Sequence, residues 1–316
     1  MSVTRRRFLT RSGGVSGVLL AGPLAGCTEE ADETQNRTTI RIGSKSFPEQ
    51  ELLGYLAYER LRALDGVQLV DRIGYGDSER NWNGTKAGRI DLYWEYTGTA
   101  WSRLPPARDE HVNDPEELYT RVAADADEQG ITMGDPAAFS NEFVLAADRS
   151  WSERTGVKTI GDLAAHIGNG ESGFGIALNE AFYHRRDGWY GLTEQYGIGT
   201  ELESYLNEFV VTSIGLTYEL LESGKVDVIN GFATDPQLDR QAVVELDDDR
   251  DYFLPYQPAP TVYAPTAEGN PQIFEVLSPL ASSLDKATMR RLNREVFLNG
   301  QSPREVARAY LRGIEG

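Results

Sequence analysis

The amino-acid sequence predicts an α/β protein with two lobes. Segments with the period-two pattern of strands alternate with segments of helical period, and this alternation occurs in both halves of the chain. The 316 residues also exceed the usual length of a single domain. Together these observations predict two lobes, each with its own sheet and helices.

The first half is predicted to follow the order strand, helix, strand, helix, strand. Ile40 and Ile42 alternate with polar residues in the first strand. Ser46 and Glu49 have the spacing of a capping box, which predicts the start of the first helix. Because βαβ units run in parallel, we expect a parallel sheet. The predicted strands are 38–43, 67–73 and 90–96, the helices between them reach Leu64 and about Lys86, and a helix from Pro115 to Gly130 and a strand at 143–147 follow.

The second half repeats the alternation with different spacing. Its predicted strands are 174–178, 209–211 and 226–230. Helices are predicted at 159–167 and 216–223, and Gly224 ends the second of them. Three further helices, at about 271–283, 286–299 and 303–313, close the chain. This order is the one expected of a second α/β lobe followed by a helical C-terminus.

Three loops that follow predicted strands are expected to hold recognition residues. They read "GSKSF" at 43–47, "EYTGTA" at 95–100 and "NGFATD" at 230–235. In open α/β sheets, ligands bind beyond the carboxyl ends of the strands. The segment "WEYTGTAW" at 94–101 places three aromatic rings beside threonine hydroxyls. This composition is unusual for a buried strand and indicates a ligand at that end of the sheet.

The first 26 residues have the features of an export signal. Arg5 and Arg6 resemble a twin-arginine signal, and a short apolar, glycine-rich stretch follows. "LAGC" resembles a lipobox, in which Cys27 is lipidated and becomes the mature N-terminus. The stretch is too short for a spanning helix of about 20 residues, and a signal anchor or a soluble helix are the alternatives. Residues 27–37 are acidic and aperiodic, which predicts a flexible tether.

The chain is strongly acidic, with 31 basic and 49 acidic residues and a net charge of −18. This charge disfavours nucleic acid as a partner and is typical of the solvated surface of a halophile's protein. The densest run, "DDDRD" at 247–251, lacks the ordered ligand spacing of a calcium loop, so we interpret it as solvated surface and expect no metal. The single cysteine excludes a disulfide within the chain.

Motifs of common enzyme classes are absent from the sequence. The three histidines lie far apart, and neither an H-E-x-x-H motif, a G-x-S-x-G elbow nor a P-loop occurs. We therefore expect no catalytic residues and no cofactor. A catalytic triad assembled from distant positions stays open as an alternative.

Four segments together carry a resemblance to a known family. They are "IGSKSFPEQELLG", "IDLYWEYTGTAW", "GLTYELLESGKVDVINGFATD" and "FLPYQPAPTVY". In this order the chain, from about Thr38 to about Leu311, resembles the ProX/OpuAC group of substrate-binding proteins, which serve ABC importers of glycine betaine and related quaternary amines. Each motif alone is weak evidence, but four in register are specific.

The resemblance implies a periplasmic-binding-protein-like fold of type II with a ligand closed between two lobes. Lobe one would comprise 38–140 and 257–316, and lobe two 141–256. The chain would cross between the lobes near 139–143 and 252–258, with the C-terminal helices packed on lobe one. The implied partners are the solute, an ABC permease and, through the lipid anchor, the outer face of the cell membrane. A monomer is expected.

The chemistry of the implied ligand accounts for the aromatic residues. The trimethylammonium group of glycine betaine has no N–H to donate, so attraction to aromatic faces is the available interaction, worth up to about 2 kcal/mol for each desolvated contact. The ligand's carboxylate requires hydroxyl and cationic donors, and a bidentate guanidinium suits it best.

By resemblance, four rings form the cage for the cation. Tyr96, Tyr218 and Tyr256 match cage tyrosines, and Phe143 stands where the family has a further tyrosine. Asn141 stands where the archaeal pattern has an aspartate, so we expect no carboxylate beside the cation there. Trp94, Trp101 and Tyr93 are expected to pack structurally, and Phe232 could belong to the cleft wall or to the core.

Lys45, Thr99 and Arg185 match the family's donors to the ligand carboxylate. Each has an alternative: Lys45 could pair with Glu49 on the surface, Thr99 could bond its own turn, and Arg185 could form a surface salt bridge. Arg186 could replace Arg185 after a shift of one residue.

The identity of the solute stays open at this point. Glycine betaine is the first expectation, and choline, carnitine, proline betaine and ectoine are alternatives within the same class. A sensory or adhesion ectodomain that uses this fold without transport is an alternative from another class.

Overall fold

The computed structural model describes residues 37–199, Leu202 and residues 206–315. These residues form two five-stranded sheets with helices packed on them, so the predicted α/β fold with two lobes is confirmed. The expected signal at 1–26, Cys27 and nearly all of the expected tether at 27–37 lie outside the described residues. Within the described part, no helix combines the length and the apolar character needed to cross a bilayer.

The first sheet is parallel in one half and antiparallel in the other. Its strands are β1 (Thr38–Lys45), β2 (Val67–Gly76), β3 (Leu92–Tyr96), β4 (Ile131–Met133) and β10 (Pro258–Tyr263), in the order β2-β1-β3-β10-β4. β1 pairs in parallel with β2 and β3, as expected. β10 enters from the other lobe and pairs antiparallel with β3 and β4. The sheet is therefore mixed rather than wholly parallel.

The second sheet has the same construction. Its strands are β5 (Phe143–Asp148), β6 (Gly175–Asn179), β7 (Glu208–Thr212), β8 (Val228–Phe232) and β9 (Val243–Leu246), in the order β7-β6-β8-β5-β9. β6 is parallel to β7 and β8. β5 runs antiparallel to β8 and β9. In both sheets the antiparallel strands are the ones next to a crossing between the lobes.

Eight helices accompany the first sheet in the described part. They are α1 (Pro48–Leu61), α2 (Ser78–Lys86), α3 (Thr97–Arg103), α4 (Pro115–Asp127), α10 (Ala264–Gly269), α11 (Gln272–Ser283), α12 (Lys286–Phe297) and α13 (Pro303–Glu315). The C-terminal helices α11, α12 and α13 pack on α1. Residues 97–100, expected to belong to the loop at 95–100, instead begin α3, which follows β3 directly.

The second sheet carries shorter helices. They are α5 (Arg149–Thr155), α6 (Ile160–Gly168), α7 (Glu180–His184), α8 (Gly191–Tyr196) and α9 (Ile214–Glu222), with a π-helical turn at Arg186–Tyr190 and a 3₁₀ helix at Pro236–Asp239. The predicted end of the helix at Gly224 is confirmed, because this glycine has a φ of +69°. Trp94, Trp101 and Tyr93 are buried in the core of the first lobe, as expected.

Two crossing segments connect the sheets and run side by side. The chain leaves the first sheet after β4 and returns to it before β10. The backbone N–H of Asn141 donates to the carbonyl of Tyr256 at 3.0 Å, and the backbone N–H of Tyr256 donates to the Ser140 hydroxyl at 2.8 Å. These bonds hold Asn141 and Tyr256, both predicted site residues, on adjacent crossings.

The predicted capping box at the start of α1 is wrong. Phe47 is the N-cap residue and provides no side-chain cap, and the Ser46 hydroxyl donates instead to the Gly74 carbonyl at 3.1 Å. The Glu49 side chain turns inward, where four neutral donors satisfy its carboxyl oxygens. The four hydrogen bonds to the buried carboxyl group of Glu49 take the place of the predicted capping interaction with Ser46.

Candidate functional site

A cleft of about 620 Å³ is lined by residues of both lobes. All eight predicted ligand residues lie on its wall: Lys45, Tyr96, Thr99, Asn141, Phe143, Arg185, Tyr218 and Tyr256. They come from six separate parts of the chain and meet only through the fold. Their contact with a ligand stays a prediction, but their convergence on one cavity is a property of the structure.

The aromatic rings of the cleft are held in place by their neighbours. Tyr96 ends β3 and stacks with Phe47, with ring centroids 6.4 Å apart and planes 14° apart. Phe143 begins β5 and lies opposite Phe232 of β8, with centroids 5.0 Å apart. The ring of Tyr256 meets Phe143 edge-on at 6.3 Å. The sequence left two alternatives for Phe232, the cleft wall or the core. In the structure its side chain does both, because it lines the cleft and packs on the core.

Tyr218 approaches the cleft from α9. Its phenol donates to Asp235 at 2.9 Å. A Cβ on Gly231 would lie only 2.2 Å from the phenol oxygen, so the glycine in β8 makes room for Tyr218. The sequence "NGFATD" thus supplies both the space and the hydrogen-bond acceptor for this ring.

Arg185 lies in the cleft, whereas Arg186 points away from it. The guanidinium of Arg185 lies 5.2 Å from the ring centroid of Phe143 and 5.7 Å from that of Tyr256. Arg186 is largely exposed and pairs with Asp109 at 3.0 Å. The choice between the two arginines is therefore settled in favour of Arg185 as the residue that lines the cleft.

The bidentate edge of Arg185 is already occupied. Its Nε donates to Asp187 at 2.8 Å, and Nη2 donates both to Asp187 and to the Tyr256 phenol. Burial alone would lower the pKa of Arg185, but the bonded carboxylate of Asp187 outweighs it and raises the pKa. Nη1 stays outside these contacts, so a ligand carboxylate would meet one nitrogen rather than the expected fork.

Lys45 is buried and pairs with Glu95, not with Glu49 on the surface. Its ammonium group also lies 4.5 Å from the ring centroid of Tyr96. Burial lowers the pKa of Lys45, and the neighbouring Glu95 carboxylate opposes the shift. Glu95 also accepts a hydrogen bond from the backbone N–H of Tyr96 at 2.8 Å. This bond fixes the end of β3 beside the ammonium group of Lys45.

Thr99 lies in α3 and is 6% exposed. The alternative that its hydroxyl bonds its own turn is not observed, because among the described residues this hydroxyl has no hydrogen-bond partner. It faces the cleft together with Lys45 and Arg185. The three predicted donors therefore share one cavity.

Glu49 is a residue of the cleft that the sequence did not single out. Its carboxyl group, 2% exposed, is bonded to the Tyr96 phenol at 2.6 Å and the Asn141 amide at 2.8 Å. The Thr234 hydroxyl and the Asn293 amide also contact it, both at 2.6 Å. Burial raises the pKa of Glu49, and these hydrogen bonds oppose the shift.

Asp235 is a second carboxyl group on the cleft wall. It accepts the backbone N–H of Phe232 at 2.8 Å as well as the Tyr218 phenol. Burial raises its pKa to about 6, although both hydrogen bonds oppose the shift. The cleft wall therefore carries two carboxyl groups, Glu49 and Asp235, although position 141 itself contributes an amide that bonds Glu49.

The cleft combines aromatic faces with groups of both charges. Among the described residues, no basic side chain donates a hydrogen bond to Glu49 or Asp235, whereas Lys45 and Arg185 each have an acidic partner. Aromatic faces and carboxyl groups attract a cation, and the remaining donors suit an anion. No cluster of possible metal ligands occurs in the described part. The arrangement suits a small zwitterion or organic cation.

Comparison with known proteins shows the family that the chain matches. The family model for the substrate-binding domain of ABC-type glycine betaine transport systems matches residues 38–313. A glycine-betaine-binding protein of Pseudomonas aeruginosa is 29% identical over 279 residues, which is 87% of each chain. The substrate-binding protein CosB of a chemotactic signal transduction system in Halobacterium salinarum is 29% identical over 270 residues, 83% of this chain and 80% of CosB.

A solved structure shares the fold. Apo YehZ from Escherichia coli superposes with a TM-score of 0.71 at 23% identity, covering 87% of this chain and 98% of YehZ. At this identity the likeness concerns the fold alone.

Proposed function

This chain belongs to the OpuAC family of substrate-binding domains of ABC-type glycine betaine transport systems, and on that premise we propose that its cleft captures glycine betaine or a related quaternary ammonium solute. The observation that carries the proposal is that four aromatic residues and three predicted hydrogen-bond donors to the ligand's carboxylate line one cavity. Glycine betaine needs both kinds of group, because it carries a methylated cation at one end and a carboxylate at the other.

The aromatic residues bind the cationic head. A trimethylammonium group donates no conventional hydrogen bond, so π faces and negative charge are what hold it. The proposed cage consists of Tyr96, Phe143, Tyr218 and Tyr256. Phe143 keeps the π face of the family's tyrosine and lacks only the phenol oxygen. Asn141 orients Glu49 beside this cage.

The ligand carboxylate is bound by the polar donors of the same cleft. Thr99 offers a hydroxyl without a partner in the described chain, and Arg185 offers Nη1. Lys45 contributes positive charge even though it is paired with Glu95. Because both cations are partly neutralised, we expect moderate rather than extreme affinity for a carboxylate.

Closure of the two lobes completes the site. Lobe one comprises 38–140 and 257–316, lobe two comprises 141–256, and the adjacent crossings act as the hinge. Tyr96 and Arg185 belong to different lobes under this division. A solute that contacts both lobes therefore shifts the equilibrium towards the closed form.

The N-terminal sequence supports export and anchoring of this domain. Residues 1–26 would direct export as a twin-arginine signal, Cys27 would carry the lipid, and 27–37 would tether a monomeric domain to the outer face of the membrane. The closed form would deliver its solute to an ABC permease. The acidic composition, with 49 Asp and Glu residues, suits a halophilic environment.

A sensory role is the second candidate. The likeness to CosB of Halobacterium salinarum favours it, because that protein is named for chemotactic signal transduction. Both roles use the same capture of a solute. Loss of uptake of labelled betaine in a deletion strain supports transport, and loss of chemotaxis with intact uptake supports sensing.

Titration calorimetry in high salt tests the proposed ligand. Glycine betaine is compared with tert-butylacetate, which has the same shape but carries carbon in place of the charged nitrogen. Saturable binding of betaine, with tert-butylacetate at least tenfold weaker, supports the proposal, since about 1.4 kcal/mol of cation–π attraction corresponds to tenfold. Equal binding of both, or no binding of betaine at millimolar concentration, would refute it.

A further inference from the structure

Three polar side chains from separate parts of the chain form a closed hydrogen-bonded ring beside the cleft. The Asn141 amide is 2.8 Å from Glu49 Oε1, the Thr234 hydroxyl is 2.6 Å from Glu49 Oε2, and the same hydroxyl is 2.8 Å from Asn141 Oδ1. We call these three residues the Glu49 ring. Two of them are buried and Asn141 is partly buried. Every edge of the ring joins two electronegative atoms at hydrogen-bond distance, so each edge requires one proton.

The ring contains one proton too few if Glu49 is ionised. The Thr234 hydroxyl has a single proton, and the Asn141 amide nitrogen can supply one proton to the one ring edge that it faces. Two protons cannot fill three edges. If the amide oxygen and nitrogen of Asn141 are exchanged, the edge without a proton is the one between Asn141 and Glu49 instead of one that involves Thr234. The ring still lacks a proton. A proton on the carboxyl group of Glu49 fills the third edge in both orientations.

The other groups around Glu49 are compatible with a neutral carboxyl group. The Tyr96 phenol of β3 and the Asn293 amide of α12 donate to it and carry no charge. Burial is the main cause of the raised pKa of Asp235, and the nearby Glu49 carboxyl group adds to it, as expected of two like charges. The positive charge of Lys45 is paired with Glu95 rather than Glu49.

A further basic side chain, Arg290, acts electrostatically on Asp235 and is also engaged elsewhere. Arg290 of α12 donates to the Ala233 carbonyl at 2.7 Å and to Glu245 at 2.8 Å. No basic group in the described chain contacts Glu49. The empty cleft therefore provides hydrogen bonds to this carboxyl group but no counter-charge.

We propose that Glu49 is protonated in the empty protein and recognises the ligand's cationic head by releasing that proton as the cation enters. The proton leaves Glu49 Oε2 for solvent, and the positive charge of the solute's cationic head takes its place, so the summed charge of Glu49 and its immediate partner is unchanged. A fixed cation within a few ångströms stabilises a carboxylate by one to several pK units. This inference rests on the proposed function, because it requires a quaternary ammonium ligand.

The exchange makes Glu49 a specificity-determining residue. A neutral solute of the same shape cannot compensate the negative charge, so it leaves the proton in place and gains nothing from Glu49. Affinity for the cation should rise with pH, by at most about tenfold per unit, until Glu49 is ionised in the empty protein as well. The Glu49 ring also joins α1 to the second lobe through Thr234, so the proton state is coupled to the contact between lobes.

Proton release is measured directly with the purified full chain. Glycine betaine is titrated by calorimetry in two buffers of different ionisation enthalpy at the same pH, such as phosphate and Tris at about pH 7.5, and the comparison is repeated between about pH 5 and about pH 8 with a pair that buffers at each pH. The apparent enthalpy should differ between the buffers by an amount that corresponds to release of up to one proton. In the E49Q variant the buffer dependence should vanish and betaine affinity should fall by tenfold or more.

The D235N variant separates the two carboxyl groups. It should still release a proton, whatever its affinity, because Asp235 is outside the Glu49 ring. Loss of release in D235N with retention in E49Q would assign the proton to Asp235 and overturn the inference. Betaine binding by the wild type without buffer dependence would overturn it while leaving the proposed function intact. Absence of betaine binding would overturn both.

A measurement on the wild type alone covers the case in which E49Q does not fold. Infrared difference spectra with and without betaine should show loss of a protonated carboxyl band, which is the diagnostic change because betaine itself adds a carboxylate band. An unchanged protonated carboxyl band upon saturation with betaine would contradict the exchange.

Discussion

The phenol of Tyr96 donates a 2.6 Å hydrogen bond to the carboxyl group of Glu49. This contact joins a ring of the proposed cage to the acid that would face the same cation. Because Tyr96 is 4% exposed and also stacks with Phe47, its ring has little freedom to rotate. The π face and the negative charge are thus held in one position before any solute arrives, which reduces the ordering cost of binding.

Two substitutions of Tyr96 separate its ring from its hydroxyl. Y96F keeps the π face and removes one of four hydrogen bonds to Glu49, so betaine affinity should fall by less than about tenfold. Y96A also removes the cation–π contact, and a further loss of up to about 2 kcal/mol, or about thirtyfold, is expected. Calorimetry of both variants measures the difference. Equal affinities for Y96F and Y96A would show that the ring does not contact the cation.

Arg185 and Arg186 form a matched pair for the carboxylate end. R185A should weaken betaine binding by tenfold or more, because it removes the donor and leaves the Asp187 carboxylate without its cationic partner. Binding of choline, which has no carboxylate, should change less. R186A should leave both affinities within about twofold, since an exposed ion pair contributes little. A larger effect of R186A than of R185A would reverse the assignment.

Gly98 controls the position of Tyr256 without touching a ligand. A Cβ at Gly98 would lie 2.8 Å from the Pro255 carbonyl and from the Tyr256 ring, so G98A must displace the crossing segment. Betaine affinity should fall although no proposed ligand group is removed. Gly215 also lines the cleft, but nothing lies within 4 Å of a Cβ there. G215A should therefore bind betaine as the wild type does, and similar losses in both variants would exclude the steric explanation.

The raised pKa of Asp235 predicts a specific dependence of stability on pH. Its pKa is about 6 in the folded protein, against about 3.9 in an unfolded chain. Between these values the folded state binds more protons than the unfolded state, so the contribution of Asp235 to stability falls as pH rises from about 4 through about 6. D235N has no such titration, so its free energy of unfolding relative to that of the wild type should increase as the pH rises through this window. Urea denaturation at constant salt measures it, and a flat difference between the two proteins would contradict the assigned pKa.

The parts of the site that could be predicted are those carried by local sequence. Lys45, Tyr96 and Thr99 follow strands whose periodicity is clear, and the motif around Tyr218 includes the helix and the strand that position it. Arg185 was distinguished from Arg186 only in three dimensions, because the π-helical turn at Arg186–Tyr190 decides which side chain faces the cleft. Periodicity in the sequence does not encode such a turn.

Glu49 was missed for a physical reason. An acidic residue near the start of a helix has a sufficient local explanation in the capping box. Its four partners in the structure lie between 47 and 244 residues away in the sequence: Tyr96, Asn141, Thr234 and Asn293. The antiparallel strand β10 was missed for the same reason, because about half of the chain separates it from its partner β3. Distant pairings of this kind leave no periodic signal near either residue.

The most direct test of the central claim is a crystal structure of the protein with glycine betaine. The account predicts that the quaternary nitrogen lies within about 6 Å of the ring centroids of Tyr96, Phe143, Tyr218 and Tyr256, with the ligand carboxylate towards Thr99 and Arg185. A betaine bound elsewhere, or bound in the cleft with its nitrogen remote from these rings, would contradict it.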